Sequence, residues 1–191
     1  MTDDSEKEGY LTGQLLVAMP QMLDERFSKS VIYMCAHNDD GAMGLVVNKV
    51  LENINFPDLL QQLDLSPIVS GKEIRVHFGG PVEAGRGFVL HTADYVQEAT
   101  MIVDDRIALT ATTDILRDIA GGDGPQNSLL ALGYAGWGPG QLDAEIQANG
   151  WLSLDADDKL IFSLDPASAW QGSLAKMGID VSMLSGDAGH A

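Results

Sequence analysis

The sequence has little of three things: cysteine, positive charge and long apolar runs. Cys35 is the single cysteine among 191 residues, so the chain cannot form an internal disulfide like a small secreted scaffold. The N-terminal stretch MTDDSEKEGY has no basic region followed by an apolar one, so we expect no signal peptide. The apolar runs are shorter than the roughly 20 residues of a membrane helix. These absences predict a cytosolic protein without a membrane partner.

Positive charge is scarce, because 11 basic residues stand against 28 acidic ones and the net charge is −17. Binding of a nucleic-acid backbone depends on Lys and Arg side chains that neutralise phosphates. The nearest approach to a basic patch is Arg75 with Lys72, and Glu73 stands between them. Direct nucleic-acid binding is therefore disfavoured, and the acidity is typical of a solvated surface that keeps a protein soluble.

The length predicts one domain. A chain of 191 residues can bury one sizeable core, whereas a second full domain would be cramped. We expect a flexible N-terminus at residues 1–9, a single domain at residues 10–184 and a flexible tail at residues 185–191.

Short apolar runs bounded by turn residues predict a strand-rich fold. The turn signal at Asn38–Gly41 predicts one hairpin, and the polar turn Asp155–Lys159 predicts another. Several links are too short for a parallel crossover, so the sheet should be mixed or mainly antiparallel. The predicted strands are Gly13–Met19, Ser30–Ala36, Ala42–Asn48, Ile74–Phe78, Arg86–His91, Thr100–Val103, Arg106–Leu109, Ser128–Tyr134, Trp151–Leu154 and Leu160–Leu164. Ser30–Ala36 is apolar at both alternating sets of positions, which predicts a strand covered on both faces.

Helical spacing and capping residues predict several helices around this sheet, and hence an α+β fold. The predicted helices are Phe56–Leu63 with Asn55 or Asp58 as cap, Thr113–Ala120 ended by two glycines, one that begins at Pro139, and one from Asp165 to Met177.

Two glycine-rich segments, Gly41–Asn48 and Gly133–Gly140, are the most distinctive feature of the chain. Neither has the Walker spacing GxxxxGK(S/T) or the dinucleotide spacing GxGxxG, and Pro139 removes a backbone N–H. The second segment still leads a strand into a helix N-terminus, which is a general geometry for anion binding. A tight turn that needs positive φ or close backbone packing explains the same glycines. Both interpretations stay open.

The candidate metal ligands do not form a recognisable set. The stretch His37–Gly44 has acidic residues before a glycine but lacks the ligand ladder and closing Glu of an EF-hand. The four histidines show no HExxH or similar spacing: His37, His77, His91 and His190. We therefore predict no metal and no cofactor.

Two arrangements could serve an enzyme, a hydrolase or a transferase. Cys35 lies two residues before His37, and a thiolate beside an imidazole is the simplest covalent catalyst. His77 and His91 fall near the ends of predicted strands, where they could meet. A cysteine in the middle of a strand is more typically a small core residue.

Several motifs together resemble the bacterial AlgH/YqgE family. They are LTGQLLVAMP at Leu11–Pro20, HNDDGAMGLVVN at His37–Asn48, GGPV at Gly79–Val82, GFVLH at Gly87–His91 and GYAGWGPGQLDAEIQANGW at Gly133–Trp151. The resemblance spans about residues 10–184 and implies a curled, branched sheet that forms a pseudo-barrel surrounded by helices. It implies no reaction, although the AlgH members carry a label as regulators of transcription. The chain has Val50 where the family usually has a proline.

We therefore expect a non-enzymatic binding or regulatory protein that acts through a protein partner or a small ligand. The alternatives are an enzyme that uses Cys35 or His77 with His91, and a regulator that binds DNA directly. If Gly44, Gly80 and Gly136 line one concave surface, that surface is the candidate site. The residues of the candidate patch are Gly41, Gly44, Asn48, Gly79, Gly80, Pro81, His91, Gly136, Trp137 and Gln141.

Overall fold

The computed structural model describes residues 10–65, 74–162 and 165–180. Lys72, Glu73, His190 and the two terminal segments that were expected to be flexible lie outside these residues. The strands are β1 (Gln14–Ala18), β2 (Val31–Asn38), β3 (Gly41–Val46), β4 (Val50–Asn55), β5 (Arg75–Phe78), β6 (Val82–Thr92), β7 (Met101–Ile102), β8 (Ile107–Thr110), β9 (Ser128–Trp137) and β10 (Trp151–Asp155). The helices are α1 (Phe56–Gln62), α2 (Thr113–Gly121), α3 (Gln141–Gln147), α4 (Asp158–Ile161) and α5 (Ala169–Lys176), and the 3-10 turn Pro166–Ser168 precedes α5.

The strands form one curled sheet that branches at β9. The main path runs β10-β1-β2-β3-β9-β6-β8-β7, and β5, which also pairs with β4, joins β9. β9 pairs with β6 along most of its length, with β5 at Leu130–Leu132 and with β3 near Trp137. Among the described residues, only the β5–β9 pair is parallel. The expected curled, branched and mainly antiparallel sheet with surrounding helices is confirmed, and the sheet forms a half-barrel.

Gly133 explains how one strand can serve both parts of the sheet. Its φ is +76°, a left-handed conformation that favours glycine. Before it, Leu129 points into the central cluster and Leu130 into an outer one. After it the alternation shifts, so that Tyr134 packs on the central cluster and Ala135 on the second outer cluster. The kink therefore changes which alternate residues of β9 face the central cluster, and the opposite face passes from one outer cluster to the other.

Three apolar clusters hold the fold together. The central cluster fills the curl and is closed by Trp170 and Leu174 of α5. One outer cluster lies under α3 and contains Trp151. The other lies under α1 and α2 and contains Phe56. Alternate residues of β2 enter the central cluster and the cluster under α3, which confirms the prediction that both faces of this strand are covered.

The capping signals located α1 and α2 well. The Asn55 side chain accepts a hydrogen bond from the Asp58 backbone N–H at 2.8 Å, as expected of an N-cap. α2 ends at Gly122 in the left-handed conformation. α3 begins at Gln141, two residues after Pro139.

The second predicted hairpin is wrong. β10 pairs with β1, and Leu160 and Ile161 lie in α4 rather than in a strand. Asp157 starts this helix, because its side chain accepts a hydrogen bond from the Lys159 N–H at 2.8 Å. Ile161 is buried in the central cluster, so its apolar character reflects burial and not a strand.

Candidate functional site

Three residues of the predicted patch, Gly41, Gly136 and Trp137, meet at a cleft of about 580 Å³. We call it the barrel-mouth cleft, because it opens onto the central cluster between β6 and the paired ends of β3 and β9. The register sets Met43 opposite Gly136 across the β3–β9 pair. The two glycine-rich segments therefore do come together in space.

The floor of the barrel-mouth cleft is apolar and aromatic. Met43, Phe88 and Tyr134 line it and also belong to, or pack on, the central cluster. The Phe88 and Tyr134 rings meet edge to face with centroids 5.8 Å apart, which fixes both ring planes. A ligand in this cleft would contact a rigid surface that continues into the core.

The rim of the barrel-mouth cleft is polar and carries both signs of charge. Asn38 contributes from the end of β2, Asp40 from the β2–β3 turn, and Glu83 and Arg86 from β6. The Arg86 guanidinium carbon lies 5.0 Å from the centroid of the Phe88 ring, so the cation covers one edge of the aromatic floor. An apolar floor with a few polar groups is typical of ligand sites.

Gly79, Gly80 and Gly133 are required for packing at the branch point. A Cβ added at Gly80 would lie 2.0 Å from the Tyr134 carbonyl carbon, and one at Gly79 would lie 2.3 Å from the Gly133 carbonyl oxygen. The Gly79 N–H also donates to the Leu132 carbonyl at 2.8 Å. Pro81 follows directly and leads into β6. For these glycines the close-packing interpretation is the one that the structure supports.

Gly44 is packed in the same way. An added Cβ there would meet Ile32 Cγ2 at 2.7 Å and the Tyr33 carbonyl oxygen at 2.9 Å. The lining of the barrel-mouth cleft includes Gly136 but neither Gly44 nor Gly80. The three glycines expected to share one concave surface therefore do not share it: Gly136 lines the cleft, whereas Gly44 and Gly80 are packed against neighbouring strands.

Asn48 lies at the other end of the β2–β3 hairpin. Its Oδ1 accepts from the Val31 N–H at 2.8 Å, and its Nδ2 donates to the Lys29 carbonyl at 2.8 Å. The side chain therefore fastens the loop that precedes β2.

Trp137 and Gln141 are held by Glu145 of α3. One Glu145 carboxylate oxygen accepts from the Trp137 indole at 3.2 Å and from the Trp151 indole at 3.0 Å. The other accepts from the Gln141 amide at 3.0 Å, and Gln141 accepts from the Gly138 N–H at 2.9 Å. These contacts fix the turn between β9 and α3.

Cys35 is a core residue in this structure. It is 3% exposed, and its Sγ lies 3.9 Å from the Tyr33 carbonyl oxygen. Burial raises the pKa of the thiol to about 12, so it stays protonated and a poor nucleophile at neutral pH. This geometry argues against Cys35 as a catalytic nucleophile.

His77 and His91 lie on opposite sides of β9 and do not meet. His77 is opposite Ala131 and His91 is opposite Ser128, so standard strand spacings place them roughly 14 Å apart. His91 Nδ1 bonds to the Thr92 carbonyl at 2.8 Å. Burial lowers the pKa of both imidazoles, which favours their neutral forms. The pair cannot act as one catalytic unit.

Sequence reasoning missed Phe88, Tyr134 and Arg86 as cleft residues. The cleft walls come from strands that are distant along the chain, and no spacing in the sequence joins them. Arg86 and Phe88 lie in a predicted strand that overlaps the family motif Gly87–His91, but neither signal marks them as cleft residues. Among residues 10–65, 74–162 and 165–180, no three His, Cys, Asp or Glu side chains are grouped as metal ligands. No helix in those residues is long and apolar enough to cross a membrane.

The fold and its clefts define a small α+β protein built on a branched half-barrel, with a preformed cleft at the barrel mouth. The chain belongs to the AlgH-like family, whose model matches residues 15–182. It is 55% identical over 184 residues to a UPF0301 protein of Rhodospirillum rubrum, covering 96% of each chain. It is 54% identical to a UPF0301 protein of Cereibacter sphaeroides over 95% of this chain and 99% of the relative.

Two solved structures share the fold. The solution structure of AlgH from Pseudomonas aeruginosa is 40% identical, with a TM-score of 0.77 over 93% of this chain and 94% of that one. A crystal structure of a Corynebacterium diphtheriae protein is 21% identical, with a TM-score of 0.72 over 87% and 86% of the two chains. The latter likeness concerns the fold alone.

Proposed function

We propose that this protein is a non-enzymatic binding protein of the cytosol, and that the barrel-mouth cleft receives its small ligand or a side chain of its protein partner. The apolar floor of Met43, Phe88 and Tyr134 suits an apolar group, and the rim of Asn38, Asp40, Glu83 and Arg86 suits polar groups around it.

The observation that carries this proposal is the environment of Gly136. Unlike Gly80 and Gly133, Gly136 does not have a positive φ, and an added Cβ would meet the Tyr134 ring at an acceptable 3.4 Å and Val82 Cγ2 at 3.8 Å. Folding therefore does not demand a glycine here. The missing side chain instead preserves the open space of the cleft.

A regulatory role fits binding through this cleft better than contact with DNA. The AlgH resemblance carries a regulatory label, while the net charge of −17 opposes a phosphate backbone. In this proposal any effect on transcription is indirect and passes through the bound partner or ligand.

The test is native mass spectrometry of the protein isolated from its own cell extract, with two matched variants. Gly136→Val places a branched side chain against the Tyr134 ring in the cleft, at a backbone position that does not need a positive φ. Gly85→Val places the same side chain on β6 where nothing lies within 4 Å of the new Cβ, outside the cleft. We expect a retained small molecule or protein on the wild type and on Gly85→Val, and its loss from Gly136→Val.

Thermal unfolding of both variants confirms that they are folded before the comparison. Equal retention by all three proteins would place the ligand elsewhere. Absence of any retained mass from all three would contradict the proposal that the protein acts by stable binding.

A further inference from the structure

A second, smaller cleft of about 300 Å³ lies where three segments meet. Ser28 and Lys29 come from the loop before β2, Asn48 and Lys49 from the turn after β3, and Trp170 and Gln171 from the first turn of α5. We call it the basic cleft. The eight residues of β2 separate it from the barrel-mouth cleft, roughly 25 Å along the strand. The two clefts share no lining residue, so the basic cleft can bind a ligand whether or not the barrel-mouth cleft does.

The charge of the basic cleft is unusual for this chain. Two lysines and no acidic residue line it, although acidic residues outnumber basic ones by 28 to 11. The barrel-mouth cleft carries Asp40 and Glu83 against Arg86, a net charge of −1. A third cleft along β4 and β5 carries Glu52 against Arg75, a net charge of 0. Of these three clefts, the basic cleft alone has a positive lining.

Neither lysine of the basic cleft is neutralised by the described residues. The Asp24 carboxylate favours the protonated form of Lys49 from a distance, which acts to raise its pKa, but Asp24 already forms an ion pair with Arg26. Arg26 donates to both Asp24 oxygens, at 3.0 and 2.8 Å. No ion pair joins Lys29 or Lys49 to a carboxylate in this part of the chain. As far as residues 10–65, 74–162 and 165–180 show, neither ammonium group has a carboxylate partner of its own, and each keeps N–H donors for an external anion.

The fold also fixes where the two lysines stand. Asn48 holds the Lys29 carbonyl at 2.8 Å, which stabilises Lys29 at its positive φ of 57°, and Lys49 follows Asn48 directly. Lys49 Nζ donates to the Arg26 carbonyl at 3.0 Å. Lys29 Nζ lies 5.9 Å from the centroid of the Trp170 ring.

We propose that the basic cleft binds a small oxyanion, a carboxylate or phosphate group of a small molecule, between the ammonium groups of Lys29 and Lys49. The Ser28 hydroxyl and the Gln171 amide line the same cleft and supply further hydrogen-bond donors. The first turn of α5 presents the helix end that favours negative charge. Partial burial lowers the pKa of Lys49, a cost that a bound anion would offset.

The experiment titrates the full chain with sodium phosphate and, in a separate arm, with sodium succinate at constant ionic strength. Two-dimensional ¹H–¹⁵N spectra report the backbone N–H groups of Ser28 and Gln171 and the Trp170 indole. We expect saturable shifts confined to these groups, with a dissociation constant in the low millimolar range. Saturation by phosphate alone identifies a phosphate site, and saturation by succinate alone a carboxylate site.

Charge variants distinguish anion binding at the basic cleft from general attraction of anions to the protein surface. Lys29→Gln should weaken binding about tenfold, the loss of roughly 1.4 kcal/mol from one charged contact. Lys29→Arg keeps the charge and should bind within about threefold of the wild type. Lys159→Gln removes the same charge from an exposed position outside the basic cleft and should change little.

Two results would overturn the proposal. One is the absence of saturation by either anion up to about 50 mM. Binding of an acidic peptide to this cleft without saturation by either anion would count as the same result. The other is an equal loss of binding in Lys29→Gln and Lys159→Gln, because that would show attraction to the whole surface rather than to this cleft.

Discussion

At the scale of single residues, His91 shows how the fold uses a polar side chain in its core. His91 is fully buried, and its Nε2 lies 2.8 Å from the Thr110 hydroxyl. Thr110 in turn lies 2.9 Å from the Thr100 hydroxyl, which accepts from the Gln97 N–H at 2.9 Å. One neutral tautomer, with the proton on Nδ1 toward the Thr92 carbonyl, satisfies every member of this chain.

This arrangement predicts a pH-dependent contribution to stability. Burial lowers the pKa of His91 below its unfolded value of about 6.5. Below that pH the unfolded chain binds a proton that the folded chain resists, so stability falls as pH falls. His91→Gln, which cannot titrate, should cost about 1–3 kcal/mol at pH 8 through lost hydrogen bonds. Urea unfolding should show that this cost shrinks toward pH 5. An unchanged cost from pH 8 to pH 5 would contradict the lowered pKa.

A second prediction at this scale concerns Cys35. Because the thiol is 3% exposed and burial raises its pKa to about 12, Ellman's reagent should react with it slowly at pH 8. We expect the native rate to be at least about 100-fold below the rate in urea. Cys35 is the single cysteine, so the signal has one source. Equal rates in the two conditions would mean that the thiol is accessible and reactive.

The residue scale is also where sequence reasoning about the site reached its limit. Gly41, Gly136 and Trp137 could be selected from their glycine-rich segments, and they do line one cleft. The same reasoning could not tell Gly136, which leaves space, from Gly80, which is needed for backbone contact. The difference depends on the strand that lies opposite, which only the tertiary structure provides.

At the scale of elements, β9 depends on a kink at Gly133. An added Cβ there would lie 2.2 Å from the Gly80 carbonyl oxygen, at a φ of +76°. Gly133→Ala should therefore lower the free energy of unfolding by more than about 3 kcal/mol or prevent folding.

Gly121→Ala is the matched control for that variant. Gly121 ends α2 without a positive φ, and nothing lies within 4 Å of its added Cβ. This variant should gain about 0.5–1 kcal/mol in urea unfolding, because alanine reduces the freedom of the unfolded chain. A Gly133→Ala protein within about 1 kcal/mol of the wild type would show that the kink can relax.

Elements with a local cause could be predicted, and those with a distant cause could not. α1 was found because Asn55 caps it within the sequence. β4 was not predicted, because it is largely exposed and its pairing with β5 is irregular between Val50 and Asn55. α4 was predicted as part of a hairpin, because Leu160 and Ile161 are apolar and follow the polar segment Asp155–Lys159, in which the cap at Asp157 was not recognised.

At the scale of the whole molecule, charge sets the partners that the surface admits. The net charge of −17 predicts no binding of duplex DNA, because few basic residues can replace counterions. Fluorescence anisotropy with a labelled duplex of about 20 base pairs should show no binding at roughly 20 mM or 150 mM salt. The basic cleft does not alter this expectation, since two lysines cannot track a duplex backbone. Binding at low salt that weakens steeply with added salt would restore the DNA-binding alternative.

From residue patterns alone the overall architecture was predictable only in class, and the branched, curled sheet was expected from the family resemblance. Short links between apolar runs indicated a mainly antiparallel sheet, and this is confirmed. The branch itself depends on the parallel β5–β9 pair, in which Val76 lies opposite Leu130. The chain between the end of β5 at Phe78 and the start of β9 at Ser128 contains no local signal for that choice of partner.

The late position of β9 in the chain also delays completion of the sheet during synthesis. β3, β5 and β6 all pair with β9, yet β9 begins only at Ser128. At translation speeds of about 5–20 residues per second, the ribosome makes roughly 90 further residues after β3 before β9 is complete, a delay of about 5–20 s. Throughout that interval the nascent chain carries unfinished sheet edges. Until β9 has been made, the edges of β3, β5 and β6 that pair with it in the finished fold lack that partner and can pair with other strands.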